Sequence, residues 1–261
     1  MKERWDEVKH IQVPLSLKEF RTDLHIHSCL SPCGDLLMSP RKIVEKAKEE
    51  KLDIISITDH NSAENVLATI KAGTEKQIAV IPGIEITSEE EVHIIGLFEG
   101  IEDLLEIQKL VYEKLLPGEN NEGLFGEQII ANENDEVEGF NKRLLIGATS
   151  LSAQRIVELI HSFRGLAIAS HIDREGFSII GQLGIIPENL PLDALEISPQ
   201  LNLKEAKKKF NQYCRYPFVS FSDAHFLEDI AKVYTIFLLG KPTLEEIKRA
   251  LREEAGRKIL E

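Results

Sequence analysis

The chain has 261 residues, and 31 Lys and Arg against 44 Asp and Glu give a formal charge of −13. Hydrophobic residues make up 43% and charged residues 29%, which is globular composition and excludes a disordered or collagenous chain. The acidic balance argues against a broad nucleic-acid surface, no stretch approaches the roughly 18 apolar residues of a membrane span, and three cysteines make no disulfide framework.

In chain order, short apolar runs rich in β-branched residues predict buried strands at 22–27, 53–58, 78–81, 93–98, 166–170, 194–197, 218–221 and 233–239. Amphipathic helix patterns lie between them. Ser39-Pro40 opens the first, over 41–51, as an N-cap and a first-turn proline. The others cover 62–76, 101–115, 152–164, 203–213 and 243–254. This alternation implies βαβ units and a parallel sheet, and about seven strands suggest a closed or nearly closed α/β barrel. The polar segment 117–147 breaks the rhythm, and within it 127–131 and 143–146 could pair as a hairpin. It reads as an insertion over one end of the barrel.

Eight histidines are present, and six of them lie in short apolar segments beside small or acidic residues. In Asp23-Leu24-His25-Ile26-His27-Ser28, residues two apart share one face of a strand, so Asp23, His25 and His27 point together. Two converging imidazoles suit a metal, with Asp23 as a carboxylate that orients one of them. Taken alone, such a pair is as often two half-buried histidines with ordinary hydrogen bonds. Ile57-Thr58-Asp59-His60-Asn61-Ser62 ends a strand and opens a helix, where His60 is a candidate ligand and Ser62 suits a helix cap. Glu85 sits between Ile84 and Ile86, and a buried carboxylate needs a cation; a role as bridging metal ligand would supply it, and so would an arginine, though none is near in sequence. His93, His171 with Asp173, and Asp223 with His225 complete the pattern at further strand ends. His10, in the polar N-terminal arm, and His161, on a helix, are given no role.

Together, Asp23–Ser28, Thr58–Asn61, Gly83–Glu85, His93 and the segments ending at Asp173 and His225 stand in an order that resembles the PHP (polymerase and histidinol phosphatase) phosphoesterases. The resemblance spans most of the chain. It implies a distorted (β/α)7 barrel, a single PHP-type domain over 1–261, with two or three divalent ions at the strands' C-terminal end. Carried over, His25, His27, Glu85 and Asp223 would hold one ion. Glu85 would bridge to a second held by His93 and His171, and His60 and His225 would hold a third. A further ligand for that ion comes from the loop after His27, where Asp35 is favoured over Cys33. Six histidines and three carboxylates suit zinc, manganese or iron better than calcium.

The implied activity is metal-dependent hydrolysis of a phosphate ester by a hydroxide held between two ions, with Arg174 as a substrate-binding cation. The expected partner is a small phosphorylated metabolite or nucleotide; membrane association and extended nucleic-acid binding are not expected. The first ten residues lack the apolar core of a signal peptide, so a cytoplasmic setting is expected. Alternatives are an amidohydrolase-type C–N hydrolase, an exonuclease or oligonucleotide phosphodiesterase, and a metal-stabilised module without catalysis.

Overall fold

In the computed structural model, which describes residues 16–260, the chain begins with β1 (Lys18–Ile26), α1 (Pro40–Glu49), β2 (Ile54–Ile57), α2 (Val66–Lys76), β3 (Ala79–Val80), β4 (Gly83–Thr87), β5 (His93–Leu97) and α3 (Ile101–Lys114). It continues through α4 (Glu122–Phe125), β6 (Ile129–Ala131), β7 (Val137–Phe140), α5 (Ala153–Ser162), β8 (Leu166–Ala169) and α6 (Ile179–Leu183). It ends with β9 (Ala194–Ile197), α7 (Leu203–Lys209), β10 (Phe218–Ser220), β11 (Thr235–Leu239), α8 (Leu244–Leu251) and β12 (Lys258–Leu260). His10 lies outside the described residues.

The fold is mixed α/β. The larger strands form two five-stranded sheets, ordered β12-β11-β1-β2-β3 and β10-β9-β8-β5-β4. No continuous ladder joins the two among the described residues. Single bridges do so at two places, Ile26 with Ala224 and His60 with Glu85. The parallel sheet expected from the sequence is corrected at β11, which runs antiparallel to both β1 and β12, and at β5, which runs antiparallel to both β4 and β8. At β5 the cause is local: only the short turn 88–92 separates β4 from β5, too few residues for a parallel crossover. Strand β5 therefore enters the site end with its first residue, His93, where the parallel strands arrive with their last.

Strands β2, β4, β5, β8, β9 and β10 are buried on both faces. Ala167 and Ala169 of β8 join the core beneath the helices, with Ile43 and Val44 of α1 and Ile156, Val157 and Ile160 of α5. Leu166 and Ile168 point the other way, into a second cluster with Leu24, Ile95, Leu97, Phe221 and Phe237. On β4, Ile84 and Ile86 belong to the helix-side core, which leaves Glu85 facing the opposite side. Phe98 is fully buried at the turn into α3, and a Cβ on Gly165 would stand 2.8 Å from its ring. Phe98→Ala is expected to cost about 3–5 kcal/mol, read by urea unfolding.

The segment 117–147 pairs differently from the expectation. The hairpin joins Ile129–Ala131 to Val137–Phe140, turning at 132–136, and 143–146 stays outside it. The turn is closed by Asn132, whose Oδ1 accepts from the amides of Asn134 and Glu136. Anchors tie the segment to the strand ends: Ile129 N donates to the Cys29 carbonyl, and the Asn61 side chain donates to the carbonyls of Leu145 and Gly147.

Candidate metal centre

The six motif histidines converge. His25, His27, His60, His93, His171 and His225 form a continuous set of ring contacts with centroids 4.4–6.1 Å apart. Glu85 and Asp223 stand among them. Glu85 Oε1 lies 3.3 Å from His25 Nε2, 3.3 Å from His93 Nδ1 and 3.8 Å from His171 Nε2. Its Oε2 lies 3.1 Å from His60 Nδ1 and 3.6 Å from His27 Nε2. Asp223 Oδ1 is 3.2 Å from the Nε2 atoms of both His25 and His27. A cavity of about 330 Å³ opens on this group, lined also by Cys33, Ile146, Arg174 and Phe177.

Hydrogen bonds fix which way the rings face. His25 Nδ1 is 2.9 and 3.0 Å from the two Glu196 oxygens; a carboxylate accepts, so Nδ1 carries the proton. Ser31 Oγ donates its single proton to Asp59 and so accepts from His27 Nδ1 at 3.0 Å. The Nε2 atoms of His25 and His27 then turn their lone pairs towards each other at 3.2 Å, with Asp223 Oδ1 beside both. Such a contact is repulsive unless a positive charge lies between.

A proton on His25 is one way to supply that charge. Burial opposes it, but the carboxylates of Glu196, Asp223 and Glu85 hold the His25 pKa well above the ordinary value. One proton does not satisfy the rest. Both Glu85 oxygens, His60 Nδ1 and His171 Nδ1 are buried and take part in no hydrogen bond among the described residues. A buried carboxylate without partners costs several kcal/mol. Divalent ions would supply the positive charge that the Glu85 oxygens lack, and the donor set of imidazoles and carboxylates fits them. Three groups of donors are close enough to hold an ion: His25, His27 and Asp223; His60, Glu85 and His93; and His27, Cys33, His60 and His225.

Residues singled out in the sequence take varied places. Asp35 is not brought into the site. Its Oδ1 accepts from Leu37 N and closes the local turn. Cys33, the other loop candidate, has its sulfur within 4.8 Å of the ring nitrogens of His27, His60 and His225. Burial opposes a thiolate there, but His60 and His225 bring the Cys33 pKa down to about 7. Arg174 lines the cavity with its Nη1 2.6 Å from Asp223 Oδ2. Asp23 does not orient a histidine; its oxygens accept from Ser222 N and Ala231 N, and burial pushes its carboxyl up to about 6. Asp173 ties the loop after β8 to the end of β9, accepting from the amide and hydroxyl of Ser198. Ser62 is not the cap of α2; its hydroxyl meets Tyr112 at 2.7 Å, and the helix starts after Asn65. His161 pairs with Asp193 at 2.8 Å, on the helix α5.

Glu196 is the functional residue the sequence did not disclose. It sits in β9 between Leu195 and Ile197, the same apolar setting as Glu85, and that isolated charge was the available signal. One of its oxygens also accepts from His171 N at 3.0 Å, so it positions two site histidines. Glu196→Gln is expected to weaken metal binding by about 10-fold or more with the fold retained, measured by titrating metal into chelator-treated protein. Backbone strain marks the same region. His171, Asp223 and Asn61 have φ of 29°, 48° and 50°, a region that side chains other than glycine seldom occupy.

Among curated proteins, an uncharacterised protein of Methanocaldococcus jannaschii is 36% identical over 86 residues, 30% of this chain and 50% of that one. A 5'-3' exoribonuclease of Haemophilus influenzae is 31% identical over 100 residues, 35% of each chain. These matches span half or less of the relatives' own length. Among solved structures, the lesion-specific endonuclease PfuEndoQ of Pyrococcus furiosus shares the fold with a TM-score of 0.73 at 20% identity, covering 93% of this chain and 58% of that one. A complex of endonuclease Q with a 27-mer duplex gives 0.72 at 20% identity, covering 92% and 58%.

These findings correct the expected partner. The small phosphorylated substrate, with extended nucleic-acid binding set aside, conflicts with relatives that are named for acting on RNA and DNA. The error lay in the weight given to net charge. A sum of −13 over the chain does not describe the local field where bound cations would be the largest charges. Residues 23–183 match the family described as PHP domain, and 207–255 match one described as PHP-associated. The first match runs over more than half of the chain and carries five of the six converging histidines, so the chain belongs to the PHP domain family.

Proposed function

We propose that this chain is a metal-dependent hydrolase of phosphodiester bonds in nucleic acid. The observation that carries the metal dependence is Glu85, a buried carboxylate with five histidines within 4 Å and no hydrogen bond to either oxygen. Family membership and the nuclease relatives support the phosphodiester. We assign His25, His27, Glu85 and Asp223 to one ion, Glu85 with His93 and His171 to a second, and His60 with His225 to a third. Zinc, manganese and iron suit these donors.

When bound, the ions supply positive charge that stabilises the charge developing on phosphate oxygens. The chain's own residues do the rest. Glu196 and the Ser31–Asp59 pair hold His25 and His27 by the nitrogens that face away from the centre. Arg174, the one arginine lining the cavity among the described residues, offers a guanidinium to an anionic phosphate there. Ile146 and Phe177 form an apolar wall, and the Phe177 ring stacks on His93 with centroids 4.7 Å apart.

In the same reading, β1, β2, β4, β5, β8, β9 and β10 make the seven strands of a (β/α)7 barrel, linked at the site end by the Ile26–Ala224 and His60–Glu85 bridges. They form one domain, with 118–147 inserted beside the metal centre. No described helix is long and apolar enough to cross a membrane. The three free cysteines suit a reducing, cytoplasmic setting.

The test is hydrolysis of end-labelled single-stranded RNA, single-stranded DNA and duplex DNA with an abasic site, each with added zinc, manganese or iron. Cleavage of at least one, lost on chelation, is expected. Cleavage of none, with turnover of phosphomonoesters alone, would refute the proposed substrate class.

A further inference from the structure

The loop between β1 and α1 brings a sulfur atom to a place where histidine rings gather. Cys33 Sγ and one ring nitrogen each of His27, His60 and His225 lie within 4.8 Å of one another. This group differs in chemistry from its two neighbours. His25, His27 and Asp223 include a carboxylate, and so do His60, Glu85 and His93; the Cys33 group has none. Asp35, the oxygen donor of this loop, is in none of these groups, and its Oδ1 accepts from Leu37 N.

The group is also prepared for an ion. His225 Nδ1 lies 2.7 Å from the Asp223 carbonyl, which can only accept. The proton is therefore on Nδ1, and the Nε2 lone pair is left for a ligand. The loop itself is pinned. Ser31 N donates to the Ser28 carbonyl, Gly34 N to Ser31, and Asp35 N to the carbonyl of His225 itself. At Gly34 a Cβ would come within 2.3 Å of the Ser28 carbonyl oxygen, so only glycine permits this close return beside Cys33.

We propose that Cys33 supplies a thiolate ligand, with His60 and His225, to a metal position that selects a soft tetrahedral ion of the zinc class. The proposal rests on the reading of the site as a metal centre. A donor set of one sulfur and imidazole nitrogens without carboxylate favours zinc, cobalt(II) or cadmium over manganese. As the ion binds, the Cys33 thiol gives its proton to solvent. The carboxylate-containing positions have no such preference, so one centre would hold two classes of ion.

The test is loading of the metal-free protein with cobalt(II). Wild type should show a sulfur-to-cobalt charge-transfer band in the near ultraviolet, and Cys33→Ser should lose it while still binding cobalt elsewhere. Zinc affinity at that position should fall about 10-fold or more in Cys33→Ser, and Cys33→Asp should shift the preference towards manganese. Cys33 is on an exposed loop, and matched circular dichroism would establish that both variants fold. Cobalt bound without the band in wild type, or a band that persists in Cys33→Ser, overturns the thiolate ligand and leaves the metal centre standing. No cobalt bound at all overturns the metal centre as well.

Discussion

Glu85→Gln is expected to be the most damaging single change at the centre, with metal affinity falling about 100- to 1,000-fold and hydrolysis falling with it. The argument is electrostatic. Glu85 reaches five of the histidines, through both oxygens. Two divalent ions held a few ångströms apart repel strongly, and a shared negative charge offsets that repulsion. Glutamine keeps the shape but not the charge. Removing one partner from a buried charged group costs about 3–5 kcal/mol, and each 1.4 kcal/mol is tenfold in affinity. His171→Ala is the comparison, because His171 approaches Glu85 through one contact at 3.8 Å. Elemental analysis of both variants should show more metal lost in Glu85→Gln. Equal or smaller loss there would remove the bridging role.

A second large effect is expected at Asp223, and it separates function from folding. Asp223→Asn should lower hydrolysis by about 100-fold or more, while metal-free protein melts within a few degrees of wild type. Asp223 Oδ1 faces the two repelling Nε2 atoms, and Oδ2 holds Arg174 at 2.6 Å. One charge thus serves both the ion and the guanidinium. The residue is also strained, with φ of 48°, and asparagine tolerates that backbone well. Without metal there is little for the carboxylate to stabilise beyond these contacts. Thermal melts in chelator, beside initial rates with metal restored, decide the point. A variant that fails to fold without metal would make Asp223 a structural residue.

Much of this was legible in the sequence. All eight strands expected from apolar runs are present, because a short β-branched run buried on both faces has few alternatives. The histidines were legible because each ends or begins such a run. What escaped depends on relations between distant segments. The direction of β5 follows from pairing, and a run of five apolar residues reads the same either way. Glu85 was noticed as a charge between isoleucines, but Gly83–Thr87 was not marked as a strand, and Glu196, with the same signature, was not noticed. Asp23 looked like the carboxylate that orients a histidine because it shares a strand face with His25. The partner of His25 comes instead from 171 residues away. Asp35 was preferred to Cys33 because it keeps its distance to Pro40, whereas it is Cys33 that lines the cavity and stands among the ring nitrogens.

The central claim, that buried histidines and carboxylates hold catalytic metal, is tested most directly by chelation. The purified protein is analysed for metal, stripped exhaustively, assayed on an end-labelled oligonucleotide, and assayed again after zinc, manganese or iron is restored. Two or more metal equivalents at the start, no cleavage after stripping, and recovery with at least one of the ions are the predicted results. Full cleavage by stripped protein, with metal absent by elemental analysis, would contradict the account.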